Sequence, residues 1–264
     1  MEYEAAIRLS AFLGLFALFA ALEAYAPRRA RVYDRARRWP TNLVIVVLGV
    51  LTARAMAIFL PLLAVGAALD AEAQGWGLLN QFALPGWAAI VLAVLALDLA
   101  IWAQHVGFHK LPWLWRLHRV HHADRDFDVT TALRFHPVEI AASMLIKIGV
   151  VYAIGAPAWG VVLFEVILNG SAMFNHANLR LPPGLDRVLR QVLVTPDMHR
   201  VHHSVHRYEA DSNYGFALSI WDRIFGTYRD QPEGGHDGMV IGLQWQDERP
   251  TRLGWSLKLP FMKD

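Results

Sequence analysis

The chain has 264 residues, of which 55% are hydrophobic and 18% are charged, with a formal net charge of +2. Several apolar runs approach the ~20 residues that cross a bilayer, so the composition excludes a soluble globular protein and indicates a polytopic membrane protein. The sequence contains no cysteine, which excludes iron–sulfur clusters and thiolate-ligated haem.

Three apolar runs in the first half of the chain predict membrane helices. They are Leu9 to Ala26, Leu43 to Leu69 and Leu84 to Ala103, with Glu23, Arg54 and Asp98 as their respective lone charges. No basic segment precedes the first run and no small-residue cleavage site follows it. We therefore expect it to stay as a membrane helix and not to be removed as a signal peptide.

The segment between the first two runs is strongly basic and predicts the orientation of the chain. It holds Arg28, Arg29, Arg31, Arg35, Arg37 and Arg38 against a lone Asp34. Short basic loops stay on the cytoplasmic side, so we expect the N-terminus outside and an external loop that holds Asp70 and Glu72. A solvated loop that touches anionic lipid headgroups accounts for these arginines, and we expect no nucleic-acid partner.

Two shorter apolar runs, Val138 to Gly155 and Ala158 to Phe174, predict a helical hairpin. A turn at Gly155-Ala156-Pro157 separates them, so the hairpin enters from and returns to the cytoplasmic side. Lys147 and Glu165 stand nine residues on either side of Ala156 and hence at similar depth. We expect them to pair, because a facing opposite charge removes most of the penalty of a lone charge in the membrane.

Histidine motifs follow the ends of these apolar runs. They are an HxxxH (His105, His109), two HxxHH (His118, His121, His122 and His199, His202, His203) and the single His176 after the hairpin. On a helix, positions i, i+3 and i+4 share one face, so each HxxHH directs three imidazoles into one wedge. Imidazole suits Zn, Cu, Fe and Ni, and nine imidazoles exceed the needs of one ion. The sequence therefore predicts a cytoplasmic two-metal site.

Polar residues near these histidines are candidates for hydrogen bonds that orient the imidazoles. Asp98 lies seven residues before His105, two helical turns away on the same face, and we favour it for this role. Further candidates are Asp124, Glu139, Asn175 and Asp197. For Asp124 and Asp197 a capping or turn role is an equal alternative.

The sequence allows more than one role for each of the remaining polar candidates. His136 precedes a proline at a predicted helix start, and it is a metal ligand, a hydrogen-bonding neighbour of a ligand, or a satisfied polar residue. Asn213 and Asp222 serve either packing and helix initiation or a hydrogen bond to a ligand histidine. His206 and His236 lie in polar, turn-rich surroundings, and we expect both to be ordinary surface histidines.

The order of these motifs resembles the fatty acid hydroxylase / sterol desaturase superfamily. The resemblance covers about Leu95 to Tyr228. After the first two histidine motifs it includes Arg134-Phe135-His136-Pro137-Val138-Glu139, Asn175-His176, Thr195 to His203, Asn213-Tyr214-Gly215 and Trp221 to Tyr228. Several independent motifs in the family's order are far more specific than one HxxHH alone.

The resemblance implies a membrane-bound, non-haem di-iron oxidoreductase. Such enzymes use O2 and two electrons to hydroxylate or desaturate a lipid C–H bond in a sterol, fatty acyl or related lipid. The resemblance implies two iron ions as cofactor, held by histidines. From their spacing and position we expect the nine histidines to be the ligands, with Asp98, His136 and Asn175 as candidates beside them. Since no haem or flavin module is evident, we expect a separate electron donor, a ferredoxin or a cytochrome b5-like protein with its reductase.

We expect a single all-α domain over residues 1–264, with the family-like catalytic core at about 95–228. The fold would be a polytopic membrane helical bundle of about four crossings, two as a hairpin, with a cytoplasmic histidine-rich helical cap. A histidine-rich metal transporter or sensor is one alternative, but it would place polar ligands near the bilayer midplane along a path. A catalytically silent relative is the other, but it would have lost histidines from the motifs.

Overall fold

The computed structural model describes residues 3–59 and 63–263, and these residues form helices and loops without a β-strand. The first seven helices are α1 (Glu4–Tyr25), α2 (Arg35–Phe59), α3 (Ala64–Gln74), α4 (Gly86–Lys110), α5 (Pro112–His122), α6 (Pro137–Ile154) and α7 (Ala158–His176). The predicted all-α membrane architecture is confirmed. Helix α4 carries His105 and His109 near its end, and the short helix α5 begins directly afterwards at Pro112.

Five of these helices, α1, α2, α4, α6 and α7, are long and apolar enough to cross a membrane, with mean hydropathy between 1.3 and 2.1. Their outer faces carry exposed apolar side chains such as Leu9, Leu13 and Leu18 of α1. A bilayer covers such a surface, whereas water would not favour it. Length and composition thus allow five crossings, against the four or so predicted.

The second apolar run forms two helices, so its prediction as one helix was wrong. Helix α2 begins at Arg35, inside the basic segment, and Asp70 and Glu72 lie on α3 instead of in a loop. Pro61 stands between the two helices, and proline disfavours a continuous helix, although residues 60–62 lie outside the described part of the chain. Four alanines on one side of α3 are buried (Ala64, Ala67, Ala68, Ala71), where the helix packs against α6 and α7.

The predicted hairpin is confirmed, with α6 and α7 joined at Gly155. Gly155 adopts a φ of +66°, and a Cβ atom on neighbouring Gly77 would lie 2.1 Å from Gly155 N, so neither position accepts a side chain without strain. Lys147 Nζ lies 2.8 Å from Glu165 Oε1, as predicted. An unpredicted third charge joins them, because Arg8 Nη2 of α1 lies 2.8 Å from Glu165 Oε2.

Three parts of the chain meet at one end of the bundle, and we call this end the histidine cap. These parts are the connections 26–34 and 111–136 and the chain after α7. Its later helices are α8 (Pro183–Leu189), α9 (Pro196–His202), α10 (Arg207–Ala210), α11 (Ile220–Ile224), α12 (Gly235–Gly238) and α13 (Leu253–Lys258). Proline starts several of these helices, where its missing N–H costs nothing. Helix α9 is also capped by the Thr195 hydroxyl, which accepts from Met198 N at 3.4 Å.

A buried ionic network ties α2 to the histidine cap. Arg38 donates to Asp124 at 2.7 and 2.8 Å and to Asp128 at 2.6 Å, and Arg134 Nη1 donates to Asn42 Oδ1 at 2.6 Å. Arg38 is only 1% exposed, so its prediction as part of a solvated loop was wrong. The network fixes the segment that follows α5, directly after the first HxxHH.

Candidate metal centre

The structure brings all nine predicted histidines together in two adjacent groups. The first histidine group is His105, His109, His118, His122 and His202, and the second histidine group is His121, His176, His199 and His203. Within each group, one ring nitrogen from every histidine lies within 4.8 Å of the others, and all nine side chains are buried. Each group can therefore hold one metal ion.

Each HxxHH motif supplies both groups. Helix α5 gives His118 and His122, one turn apart, to the first histidine group and His121 to the second. Around α9 the division is reversed, since His202 joins the first group while His199 and His203 join the second. Each ion would thus be bound by histidines from both HxxHH motifs. Because the same two short segments bind both ions, the ions would lie side by side.

The distances between ring nitrogens suit metal ligation. His105 Nε2 lies 3.1 Å from His118 Nε2, His109 Nε2 lies 3.1 Å from His122 Nε2, and His121 Nε2 lies 3.2 Å from His176 Nε2. Imidazole nitrogens bind metals at about 2.1 Å, which separates neighbouring ligand atoms by about 3 Å. His199 and His203 have no hydrogen-bond partner on either ring nitrogen among the described residues. Such buried orphans cost about 1–3 kcal/mol each unless a ligand satisfies them.

The imidazoles are in the protonation state that metals need. Burial lowers the pKa of His118 to about 3. Burial, reinforced by neighbouring histidines, holds the pKa values of His121, His122, His199 and His203 well below their usual value. At neutral pH these rings are therefore uncharged and free to bind a cation.

Hydrogen bonds at Nδ1 orient several of the rings. His118 Nδ1 lies 2.6 Å from Glu139 Oε1, and His176 Nδ1 lies 2.7 Å from the Ala172 carbonyl. The carbonyls of Tyr214 and Ser212 lie 2.7 Å from Nδ1 of His105 and His202, respectively. An acceptor at Nδ1 fixes the proton there and leaves Nε2 free for the metal.

Aromatic rings surround the second histidine group. Phe135 stacks on His121 with ring centroids 4.4 Å apart, and Phe127 stacks on His176 at 5.3 Å and lies 5.0 Å from His203. These apolar rings exclude water from this side of the centre.

The favoured neighbour, Asp98, contacts a different partner. Its Oδ2 accepts from Trp221 Nε1 at 2.8 Å and from Leu218 N at 3.3 Å, and none of its hydrogen bonds in the described chain goes to His105. The indole and the backbone amide both bind Oδ2, whereas Oδ1 has no hydrogen-bond partner among the described residues. Glu139, one of the further candidates, does contact a histidine of the centre.

Asn175 and His136 also lie beside the groups without a hydrogen bond to their histidines. Asn175 Nδ2 donates to the Phe216 carbonyl at 2.8 Å. His136 caps α6 by accepting from Val138 N at 3.2 Å, and its Nε2 lies 3.3 Å from the Leu257 carbonyl. Neither belongs to a histidine group, so the structure places His136 as a satisfied polar residue at a helix start.

The other candidates divide between ion pairs and the surface. Asp124 pairs with Arg38, and Asp197 pairs with Arg200 and Arg28. His206 is exposed, as predicted. His236 is buried, so its prediction as a surface residue was wrong. Burial lowers the pKa of His236 to about 4.

Sequence reasoning missed the backbone carbonyls of Ser212 and Tyr214. No side chain reveals such a contact. The residue between them, Asn213, was the available clue to an unusual backbone at this point. It adopts a φ of 50°, and asparagine is one of the few residues that tolerate this conformation.

The fold and site define an integral membrane protein of helices that carries a buried, multi-histidine metal centre at one end of its bundle. The family model for fatty acid hydroxylase matches residues 90–227. The chain therefore belongs to the fatty acid hydroxylase family, and the predicted resemblance is confirmed. The matched region contains all nine histidines of the two groups.

Curated relatives are similar over slightly more than half of the chain. The chain is 32% identical to the alkylglycerol monooxygenase of Homo sapiens over 151 residues, which are 57% of this chain and 32% of the relative. It is 28% identical to the ornithine lipid hydroxylase OlsE of Rhizobium tropici over 143 residues, 54% of this chain and 42% of the relative. The similarity thus spans less than half of either relative's length. No solved structure matches the chain significantly.

Proposed function

We propose that this chain is a membrane-bound lipid hydroxylase whose nine buried histidines hold two iron ions. The observation that carries the proposal is the pair of adjacent, buried groups of five and four imidazoles, in a chain of the fatty acid hydroxylase family. An all-imidazole donor set without thiolate or haem suits iron. When bound, iron would supply the activation of O2 with two electrons from a donor.

The chain's own residues have three tasks in this proposal. The imidazoles present Nε2 to the metals, because Nδ1 of His105, His118, His176 and His202 is engaged with an oxygen acceptor. The surrounding rings, such as Phe127 and Phe135, keep water away. The position of the groups at the ends of α4 and α7 lets an acyl or ring carbon reach them from the membrane without crossing water.

Hydroxylation of a lipid is the favoured reaction. The relatives are named as monooxygenases and hydroxylases of lipids, including the alkylglycerol and ornithine lipid enzymes. A transporter is disfavoured, because the histidine groups lie together at one end of the bundle and do not follow a path through it. The electrons come, in this proposal, from a separate ferredoxin or cytochrome b5-like protein with its reductase.

The orientation of the chain is part of the proposal. The histidine cap faces the cytoplasm, where such donors are found, and the N-terminus lies outside. The positive-inside rule supports this orientation, because Arg28, Arg29, Arg31 and Arg35 lie at the cap end of α1 and α2.

The test is lipid analysis of cells that express the chain under isotopically labelled O2. A lipid that gains a labelled hydroxyl, absent from cells with the His121→Ala variant, is the expected result. A desaturated product would carry no label and would overturn hydroxylation. A purified protein that binds no iron would overturn the proposal as a whole.

A further inference from the structure

Backbone and side-chain oxygens of one loop reach three of the five histidines in the first histidine group. Ser212 and Tyr214 accept from His202 and His105 through their carbonyls, each at 2.7 Å. Asp211 Oδ1 lies 3.4 Å from His109 Nδ1, which is close but not a hydrogen bond. We call residues 211–215 the positioning loop. It joins rings from α4 and α9 that are far apart in the sequence.

Asn213 holds the loop in a shape that an ordinary residue would not adopt. It is the one non-glycine residue with a positive φ among residues 3–59 and 63–263. Its Nδ2 donates to the carbonyls of Met198 and Arg229 at 2.8 Å each, and its Oδ1 accepts from Arg229 N at 2.8 Å. The loop is therefore tied to α9 directly beside His199.

Asp222 fixes the other end of the loop to α4. Its carboxylate accepts from Tyr214 N at 2.8 Å, Gly215 N at 2.9 Å and Trp102 Nε1 at 3.0 Å. Trp102 precedes His105 by one turn of α4. A Cβ atom at Gly215 would lie 2.8 Å from the Leu218 carbonyl, so the chain is tightly packed at this point.

A reciprocal contact strengthens the same junction. Helix α4 contributes the acid Asp98 and the indole of Trp102, whereas the segment at α11 contributes the indole of Trp221 and the acid Asp222. Trp221 donates to Asp98 at 2.8 Å, as Trp102 donates to Asp222. The two contacts together form what we call the tryptophan–aspartate junction.

The second histidine group has much less support of this kind. Among the residues that the structure describes, its one backbone acceptor is the Ala172 carbonyl at His176, within α7 itself. Nδ1 of His121 and both ring nitrogens of His199 and His203 have no hydrogen-bond partner in the described part of the chain. Rings without an acceptor at Nδ1 are held by packing alone, so no hydrogen bond fixes which ring nitrogen carries the proton and which is free for a metal.

We propose that the positioning loop, held by Asp222, pre-orients the first histidine group, so that the first metal position binds its ion more tightly than the second and fills first. The inference rests on the proposed metal binding. Asp222 is a positioning residue that acts through the carbonyl of Tyr214. Loss of such an outer hydrogen bond weakens metal binding by about 10–100-fold in other sites.

The experiment is a titration of metal-free, detergent-purified protein with Co2+, followed by visible absorption and by equilibrium dialysis. The wild-type protein is expected to bind two ions in two resolved steps. Asp222→Asn keeps the size of the side chain but places an amide against backbone N–H donors, and it is expected to weaken the tight step by about 10–100-fold. Asp230→Asn, the same change at an exposed residue nearby in the sequence, is expected to keep the wild-type steps.

The inference would be overturned if the wild-type protein bound its two ions with equal affinity. It would also be overturned if Asp222→Asn weakened the affinity of the weak step and kept that of the tight step. If Asp222→Asn does not fold, a pair of ligand variants gives the answer. His203→Ala is expected to keep the tight step and His202→Ala to lose it, and the reverse pattern would overturn the inference. Binding of no ion at all would overturn the proposed function, whereas equal affinities in an active enzyme would overturn the loading order alone.

Discussion

Glu139 Oε1 lies 2.6 Å from His118 Nδ1, and both side chains are buried. The contact joins α6 of the membrane hairpin to α5 of the histidine cap. A carboxylate that accepts from a ligand imidazole fixes the ring's orientation and raises its basicity, which strengthens the bond from the other nitrogen to a metal.

Removal of this carboxylate should therefore weaken metal binding. We expect Glu139→Ala to lower the affinity for Fe2+ by about 10–100-fold, and Glu139→Gln to lower it less, because the amide oxygen still accepts from Nδ1. The measurement is the metal content of purified protein after dialysis against graded chelator. Glu72→Ala, at an exposed acid on α3, is the control. Equal retention of metal by Glu139→Ala and the wild type would contradict the role of Glu139.

The charge cluster in the hairpin predicts that substitutions of its members lower the free energy of unfolding by unequal amounts. Glu165 contacts both Lys147 and Arg8, at 2.8 Å each. Lys147→Met leaves Glu165 paired with Arg8, whereas Glu165→Met leaves the largely buried Lys147 without its anion and Arg8 with Glu4 alone, at 3.2 Å. Removing one partner of a buried pair lowers the free energy of unfolding by about 3–5 kcal/mol. We expect a decrease of this size for Glu165→Met and a clearly smaller decrease for Lys147→Met.

Unfolding of the two variants in mixed detergent micelles gives the free energies to compare. Arg8→Met should behave like Lys147→Met, since it also leaves Glu165 with one cation. The explanation would be refuted by equal losses for Lys147→Met and Glu165→Met.

The ion pair between Arg38 and Asp128 predicts a pH dependence of stability. Burial acts to raise the pKa of Asp128, but the Arg38 guanidinium overcomes this and holds the pKa at about 2, below the usual 3.8. Because the pKa is depressed in the folded state, the pair stabilises the protein above about pH 4. This contribution is lost as the pH falls from about 4 to about 2.

Arg38→Met should lower the free energy of unfolding by about 3–5 kcal/mol at neutral pH, because it leaves Asp124 and Asp128 buried without their cation. The difference from the wild type should narrow between about pH 4 and pH 2, where these acids become protonated. Arg37→Met removes an exposed neighbour that pairs with Glu248 and should have little effect. A difference that stays constant over this range would rule out the ion pair as its cause.

Those parts of the fold that depend on local spacing could be predicted from the sequence. Eight of the nine histidines follow helical spacing and His176 follows the end of the hairpin, so their convergence at one bundle end could be foreseen. The contact of Lys147 with Glu165 follows from their equal distance to the turn at Ala156. Both features depend on the geometry of one helix or one hairpin.

Other features depend on how separate helices are placed, and the sequence does not specify this locally. Each HxxHH divides between two metal positions because α5 and α9 approach from different sides. Asp98 turns to Trp221 because α11 packs against α4 at that level, although its spacing from His105 is suitable. His236 is buried for the same reason, since long-range packing and not its polar neighbours decides its exposure.

The orientation of the chain can be tested directly, because the sequence contains no cysteine and every introduced thiol is unique. Gly86 at the start of α4 and Gly184 in α8 of the histidine cap are both exposed, and an added Cβ would meet no atom within 4 Å. These two positions lie at opposite ends of α4. Substitution by cysteine should leave the fold unchanged at both.

In spheroplasts of an expressing bacterium, a membrane-impermeant maleimide should label Gly86→Cys at once and Gly184→Cys only after lysis. This pattern follows from the arginines at the cap end, which the positive-inside rule retains in the cytoplasm. The reverse pattern would place the histidine cap outside, away from cytoplasmic electron donors. Equal labelling of both variants in intact spheroplasts would mean that α4 does not cross the membrane.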